Sequence, residues 1–266
     1  MAMTRDELLA AVERSPQAAG AHDRDGWVGL FAAGGQIEDP VGSRPHRGAG
    51  EIARFYDTFI GPRNITFHRD VDIVDGTTVI RDLELEVAMG AAVTMRIPAY
   101  LRYALRPGQT GPEIAELQAY WQLPAMVGQF VRNGIGAAPA GMQLAGALLR
   151  NQGPGGAVGF AAGFRRAGRR GRQLCTRLFD DLCAGDEVAV RRALARDTAV
   201  HTGDHGPLGA SELVELTAGA RWRKPVVSGY SVVAGLDSAG HRAVLIADLT
   251  PKPLAISRLR YFADVG

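Results

Sequence analysis

Apolar residues recur at two distinct periods along this chain, and the order of those periods predicts its architecture. In GAGEIARFYDTFIG the residues Ile52, Phe55, Tyr56 and Phe59 fall at i, i+3, i+4 and i+7, a one-face helical pattern that Gly61 and Pro62 end. Near the start, Thr4 followed by Glu7 has capping-box spacing, and Leu8, Leu9 and Val12 extend it as an amphipathic helix that Pro16 is expected to kink or end. A short helix is expected from Asp25 to Ala33, and QIEDPVG then reads as a strand running into a Pro/Gly turn. Four strands are predicted next, ITFHRDVDIV, TTVIRDLELEVAM, VTMRIPAYLRYAL and EIAELQAYWQL, separated by DG, MGAA and PGQTGPE turns. Helices first and a curved antiparallel sheet after them make an α+β class.

The same order returns later in the chain. Helices RLFDDLCAG and DEVAVRRALAR, strand TAVHTG, helix GASELVELTAG and strands VVSGYSVVAGL, HRAVLIADL and AISRLRYFA repeat the first part, which predicts two similar domains. At 266 residues the chain has room for two cores. The expected boundaries are 1–124 for the first domain, 125–171 for a Gly/Arg-rich linker and 172–266 for a second, divergent, non-catalytic domain. Between Glu116 and Asp180 there is no acidic residue, whereas Arg132, Arg150, Arg165, Arg166, Arg169, Arg170, Arg172 and Arg177 form a basic stripe. It reads first as a solvated linker, with an anionic partner as the alternative. Its apolar neighbour GIGAAPAGMQLAGALL is too short and interrupted to span a bilayer, but suits a membrane surface or the mouth of a cavity.

Composition narrows the class without choosing a function. A charged fraction of 22% and a hydrophobic fraction of 46% are those of a globular protein, and a formal charge of +2 gives no footprint for nucleic acid. Arg5, Asp6 and Glu7 precede any apolar run, so the start lacks a signal-peptide core and a cytoplasmic location is expected. Cys175 and Cys183, placed on one helix, stand about 12 Å apart in rise, beyond disulfide reach.

The segment GLFAAGGQIEDPVGSRPHRGAGEIARFYDTFI resembles the ketosteroid isomerase and SnoaL-like superfamily, in which a strand ending in EDPVG delivers a catalytic aspartate and a helix containing FY follows. The match extends by pattern over residues 6–122. LCAGDEVAVRRALARDTAVHTG resembles the same family's first helices and strand. The resemblance implies two tandem cone-shaped domains, each with helices packed on a curved sheet around an apolar cavity.

It also assigns roles. Asp39 takes the position of the family's general base, which removes a proton from the carbon beside a ketone and returns it two carbons away. A carboxylate before Pro40 and against an apolar helix face is partly desolvated, which raises its pKa toward a useful range; the competing reading is a turn-capping Asp. The family's enolate donors, a tyrosine and a protonated aspartic acid, fall on Ser15 and Ala99 here, and each donor is typically worth ~3 to 4 kcal/mol. Tyr56 matches an accessory tyrosine and is a candidate donor, with a core role as the alternative. Tyr103 shares strand parity with Ala99, four residues on, and with Leu101 is read as cavity wall. Phe55, Phe59, Ala99, Leu101, Tyr103 and Trp121 form the expected ligand-binding set.

Asp82, Glu84 and Glu86 alternate onto one strand face, most simply a wet one. Ungapped matching to the family instead turns them inward and pairs Glu84 with Asp39 as acid and base. That arrangement resembles the superfamily's epoxide-opening hydrolases and polyether cyclases, although Thr66, His68 and Ala119 stand where their further acids are sought. In the second copy the base position falls on Thr202 or His201. His201, Asp204 and His205 read as a turn bounded by Gly203 and Gly206 rather than as metal ligands. The expected function is therefore Asp39-based proton transfer on an apolar, ring-containing ligand such as a steroid or polyketide, without metal or other cofactor. The alternatives are a steroid- or lipid-binding protein and a carboxylate-pair epoxide-opening enzyme. The expected partners are a small apolar ligand and either a second copy of the chain or an intrachain domain mate.

Overall fold

A computed structural model of the protein describes residues 3–89, 93–132, 138–153, 155, 166–195, 197–204 and 206–264. Arg165, His205, the end of the MGAA turn and part of the Gly/Arg-rich segment lie outside the described residues. Helix α1 (Arg5–Gly20) begins with the expected capping box: Thr4 Oγ1 accepts from the Glu7 amide at 3.3 Å, and the Glu7 carboxylate accepts from the Thr4 amide at 2.7 Å. It does not stop at Pro16. Ser15 and Ala19, on either side of the proline, are buried, and tertiary packing outweighs one missing helical hydrogen bond. Helix α2 (Arg24–Val28) is shorter than expected. Strand β1 (Phe31–Glu38) takes over its last residues, because the Ile114 amide binds the Leu30 carbonyl at 2.9 Å and draws the chain into the sheet.

There follow β2 (His46–Arg47), α3 (Gly48–Phe55) with a closing π-turn Tyr56–Ile60, and strands β3 (Asn64–Asp75), β4 (Thr78–Met89), β5 (Val93–Pro107) and β6 (Pro112–Tyr120). Their order in the sheet is β2-β1-β6-β5-β4-β3, antiparallel throughout except for the parallel β1–β6 pair. The second half repeats that plan. Helices α6 (Gly168–Ala184), α7 (Glu187–Ala193) and α8 (Ala210–Thr217) accompany β7 (Ala199–Thr202), β8 (Gly206–Pro207), β9 (Arg221–Ser228), β10 (Ser231–Ser238), β11 (His241–Pro251) and β12 (Leu254–Ala263). Their sheet order is β8-β7-β12-β11-β10-β9, with β7 parallel to β12. Two sheets of identical order and the same single parallel pair make this a tandem α+β protein of two cone-shaped units. VVSGYSVVAGL, expected as one strand, is two: Gly229, at φ 54°, turns β9 into β10. Cys175 and Cys183 share α6 as free thiols.

The segment between the units is not an extended linker. It forms α4 (Leu123–Arg132) and α5 (Ala138–Ala147), closed by a π-turn Leu148–Gln152. Met126, Val127, Phe130 and Leu144 pack onto the first unit's core. Each unit has its own core between helices and one sheet face. The opposite sheet faces meet in a third cluster, where Val41, Ile73, Ile80, Tyr100 and Tyr120 of the first unit pack against Val226, Val233, Val244, Ile246 and Phe262 of the second. No helix among the described residues is long and apolar enough to cross a membrane.

Candidate active site

Period-2 alternation at the end of β1 decides which carboxylate enters the first unit's interior. Ile37 faces the core, and the Glu38 carboxylate turns the other way, accepting from the Gly42 amide at 2.8 Å and from Gln118 Nε2 at 3.1 Å. Asp39 therefore faces inward again, into a cavity of about 130 Å³. One ordered water needs only ~10 to 15 Å³ on such a measure, so the space suits a small organic molecule rather than a trapped solvent. The walls come from every layer of the unit: Trp27 from α2, Phe55 and Phe59 from α3 and its π-turn, Leu85 and Val87 from β4, Leu101 and Tyr103 from β5. Met126 of α4 and Leu144 of α5 close it. The segment expected to be a linker is its lid.

Asp39 is the one carboxylate among the lining residues. Burial pushes its pKa up to about 6, against the opposing pull of one hydrogen bond, donated by Trp121 Nε1 to Asp39 Oδ1 at 2.5 Å. The strand register explains that contact. β1 runs parallel to β6 with Glu38 opposite Gln118, and the Val41 amide binds the Ala119 carbonyl at 2.8 Å, which brings the residues following both strands together.

A second polar group reaches the cavity from three elements. Trp27 Nε1 donates to Ser15 Oγ at 3.2 Å, and Ser15 in turn hydrogen-bonds the Tyr103 hydroxyl. Burial pushes that hydroxyl up to about 12, opposed by Arg81 and by the Ser15 hydrogen bond, and it feels the charge of Asp39. Indole N–H is a donor only, so Ser15 accepts from Trp27 and passes its own proton toward Tyr103, leaving the Tyr103 hydrogen available to the cavity.

Residues 12–109 match a protein family described as the SnoaL-like domain. This part of the chain is a SnoaL-like domain. The match spans Ser15, Asp39 and Tyr103. Among solved structures, the chain is similar to a Δ5-3-ketosteroid isomerase from Mycobacterium sp., at 28% identity over 45% of this chain and 96% of that one, with a TM-score of 0.41. It is similar to RV0760c from Mycobacterium tuberculosis in complex with estradiol-17beta-hemisuccinate, at 25% identity over 44% and 95%, TM-score 0.40. An M. tuberculosis LEH-like epoxide hydrolase matches at 18% identity over 48% and 92%, TM-score 0.42.

In the first unit the structure gathers Asp39, Phe55, Phe59, Leu101 and Tyr103 of the matched residues, together with Trp121, around one cavity. Three other expected residues stand apart. The Tyr56 ring packs at 5.6 Å from Trp27, and its buried hydroxyl has no hydrogen-bond partner and does not line the cavity. Ala99 is fully buried on the inward parity of β5, between Ile97 and Leu101, without lining the cavity itself. Glu84 is the clearest correction. Leu85 and Val87 take the inward face of β4, so Glu84 points outward to Arg96 at 3.6 Å and cannot pair with Asp39. The epoxide-opening expectation is left without its second acid.

Sequence reading missed Trp121 as a hydrogen-bond donor and the Trp27–Ser15–Tyr103 chain, while the segment expected to suit the mouth of a cavity does line it through Leu144. Sequence reading also missed Arg63, which lines the cavity. Only the parallel β1–β6 pairing, read from the EDPVG strand and AYWQL together, could have brought Trp121 to Asp39. In the second unit Thr202 and His201 lie on β7, and Asp204 does not serve a metal site: it binds Arg102 at 2.7 and 3.0 Å across the unit boundary. His205 lies outside the described residues.

Proposed function

We propose that the first unit is a proton-transfer enzyme for an apolar, ring-containing ketone of the steroid or polyketide type. Asp39 takes a proton from the carbon beside the carbonyl, the electron pair moves onto the carbonyl oxygen as an enolate, and Asp39 returns the proton two carbons away, restoring the ketone with its double bond shifted. No cofactor is needed, because the proton leaves and returns through one carboxyl group. The observation carrying this reading is the carboxylate of Asp39, which lines an apolar cavity with its pKa raised to about 6 by desolvation and shares that cavity with a protonated tyrosine. A base tuned to that range holds its proton only briefly near neutral pH. Tyr103, reached through Ser15, supplies the donor that the absence of an acid at Ala99 would otherwise remove. The donor of this unit is thus one hydroxyl, four residues along β5 from Ala99 on the same strand face.

The test is turnover of a Δ5-3-ketosteroid, followed by the ultraviolet absorbance of the conjugated enone. Asp39→Asn should lower kcat by about a hundred-fold or more, and Tyr103→Phe by about a hundred-fold, with ligand affinity little changed in either. Saturable binding of several such ketones without turnover, and without exchange of their α-hydrogens into heavy water, would make the unit a binding protein instead.

A further inference from the structure

We infer that Arg63 is an anion-recognition site within the cavity and that the natural ligand is a ring-containing carboxylic acid, its carboxylate held by Arg63 and its ketone directed to Asp39. The inference rests on the cavity being the ligand site proposed above. Arg63 is 9% exposed and forms part of the cavity wall. All of the chain's Asp and Glu residues lie among the described residues, and none forms an ion pair with Arg63. Its side chain has one protein acceptor, the Thr58 carbonyl at 2.7 Å from Nη1, and its guanidinium carbon stands 5.9 Å from the Phe59 ring centre. A guanidinium presents five N–H donors in a planar fork, so most of its donors remain for a ligand.

The rest of the molecule shows what the chain does with buried arginines that serve packing alone. Arg81 is paired with Asp72 at 2.7 Å and with Glu13 at 2.8 Å, Arg102 with Asp204 at 2.7 Å, and Arg260 with Asp248 at 3.1 Å. Arg63 alone among these four has no carboxylate, and a buried charge is normally paired. Burial accordingly pulls its pKa down to about 10, with no opposing acid. A carboxylate from the ligand would complete it, in the bidentate geometry that Arg and carboxylate share.

The placement fits a ligand with two functional ends. Asp39 follows β1 and Arg63 precedes β3, the strand at the far edge of the same sheet, with β6, β5 and β4 between them. Strands sit ~4.8 Å apart, so four strand spacings along the sheet separate the strands next to which the two residues lie. The wall between them is apolar: Phe67, Leu85, Val87, Ile97, Leu101. Arg63 also borders a second, water-sized cavity beneath Gln143 and Leu144 of the lid, which gives the anionic end a polar neighbour.

The experiment compares 3-oxo-4-androstene-17β-carboxylic acid with its methyl ester by calorimetric titration against the wild-type chain, Arg63→Met and Arg63→Lys. The acid should bind the wild type about thirty-fold more tightly than the ester. Arg63→Met should lose that preference while keeping its affinity for the ester, and Arg63→Lys should keep part of it. Equal binding of acid and ester to the wild type overturns the inference while leaving the proposed function standing. Loss of both ligands in Arg63→Met and Arg63→Lys alike also overturns it, since Arg63 would then only hold the fold. Failure of both compounds to bind the wild type sinks the inference together with the ligand class beneath it.

Discussion

Asp39 shows how one residue sets stability against chemistry. Its carboxyl group is ordinary in the unfolded chain, near 3.8, and rises to about 6 when the fold buries it. Below pH 4 both states are protonated and burial costs little. As pH rises from about 4 to about 6 the unfolded chain releases its proton first, so the folded state binds more protons and stability falls with pH. Above pH 6 the loss levels off at about 3 kcal/mol, two pKa units at ~1.4 kcal/mol each. Asp39→Asn removes the ionisation and keeps an oxygen to accept from Trp121. It should therefore raise the unfolding midpoint at pH 7.5 and leave it unchanged at pH 3.5, while turnover is lost. Thermal unfolding of both proteins at the two pH values checks this, and equal shifts at both would show that the fold does not raise the pKa of Asp39. Turnover should follow the opposite limb, rising with pH through about 6 as the base becomes free to accept a proton.

At the scale of elements, α4 and α5 add a wall to the site. Helices α4 and α5 carry Met126 and Leu144 into the cavity wall while leaving Val131 and Met142 exposed, so their hold on the core rests on a few apolar contacts. Leu144→Ser should weaken that hold by about 2 kcal/mol, the worth of one buried leucine side chain. The expected result is an increase of about ten-fold or more in the dissociation rate of a fluorescent steroid in stopped-flow displacement, with a smaller change in association. The strands β3 to β6 and helix α3 were legible because each combines an unbroken period with Gly or Pro at its ends. For α4 and α5 the sequence left linker and cavity cover open, since glycines and prolines that mark a linker also permit short helices once a core is present to pack on. Strand β9 was hidden for a different reason: Arg221, Arg223, Lys224 and Pro225 obscure the period of a strand. In the fold, Arg223 and Lys224 do not face open solvent but reach Asp82 of the first unit. Register defeated the sequence at β4, where an alternating acid pattern fits either face until its neighbours fix which side is buried. At the cavity, Asp39, Phe55, Phe59, Leu101, Tyr103 and Trp121 could be read from the sequence, while the hydrogen bond from Trp121 to Asp39 and the presence of Arg63 follow only from sheet order.

For the molecule as a whole, the second unit acts as the back plate of the first. The EDPVG turn that places Asp39 is clamped from behind: Gly42, at φ 97°, approaches Gly229 so closely that a Cβ on Gly42 would stand 2.5 Å from the Gly229 Cα, and Ser228 Oγ donates to the Val41 carbonyl at 3.0 Å. Behind the cavity wall, Lys224 Nζ pairs with Asp82 and donates to the carbonyls of Leu83 at 2.6 Å and Ala99 at 3.0 Å, which are register partners on β4 and β5. The second unit meanwhile offers only Thr202 and His201 where the first has its carboxylate. We therefore expect chemistry in the first unit and support from the second, a division that can be measured through the Asp82–Lys224 pair. Asp82→Leu leaves Lys224 without its carboxylate and should cost about 3 to 5 kcal/mol, whereas Lys224→Met leaves Asp82 its second partner, Arg223 at 2.8 Å, and should cost less, about 1 to 3 kcal/mol. Replacing both removes the orphaned charge as well, so the double variant should recover much of that loss, giving a coupling energy well outside the additive range of ~0.5 kcal/mol. Denaturant midpoints of the four proteins provide that cycle. Turnover of the same proteins, measured where all remain folded, tests the back-plate role, because Lys224→Met also releases the Leu83 and Ala99 carbonyls. A fall in kcat for Lys224→Met that the double variant does not repair would tie the second unit to the geometry of the first unit's cavity, whereas unchanged kcat in every folded variant would limit its role to stability.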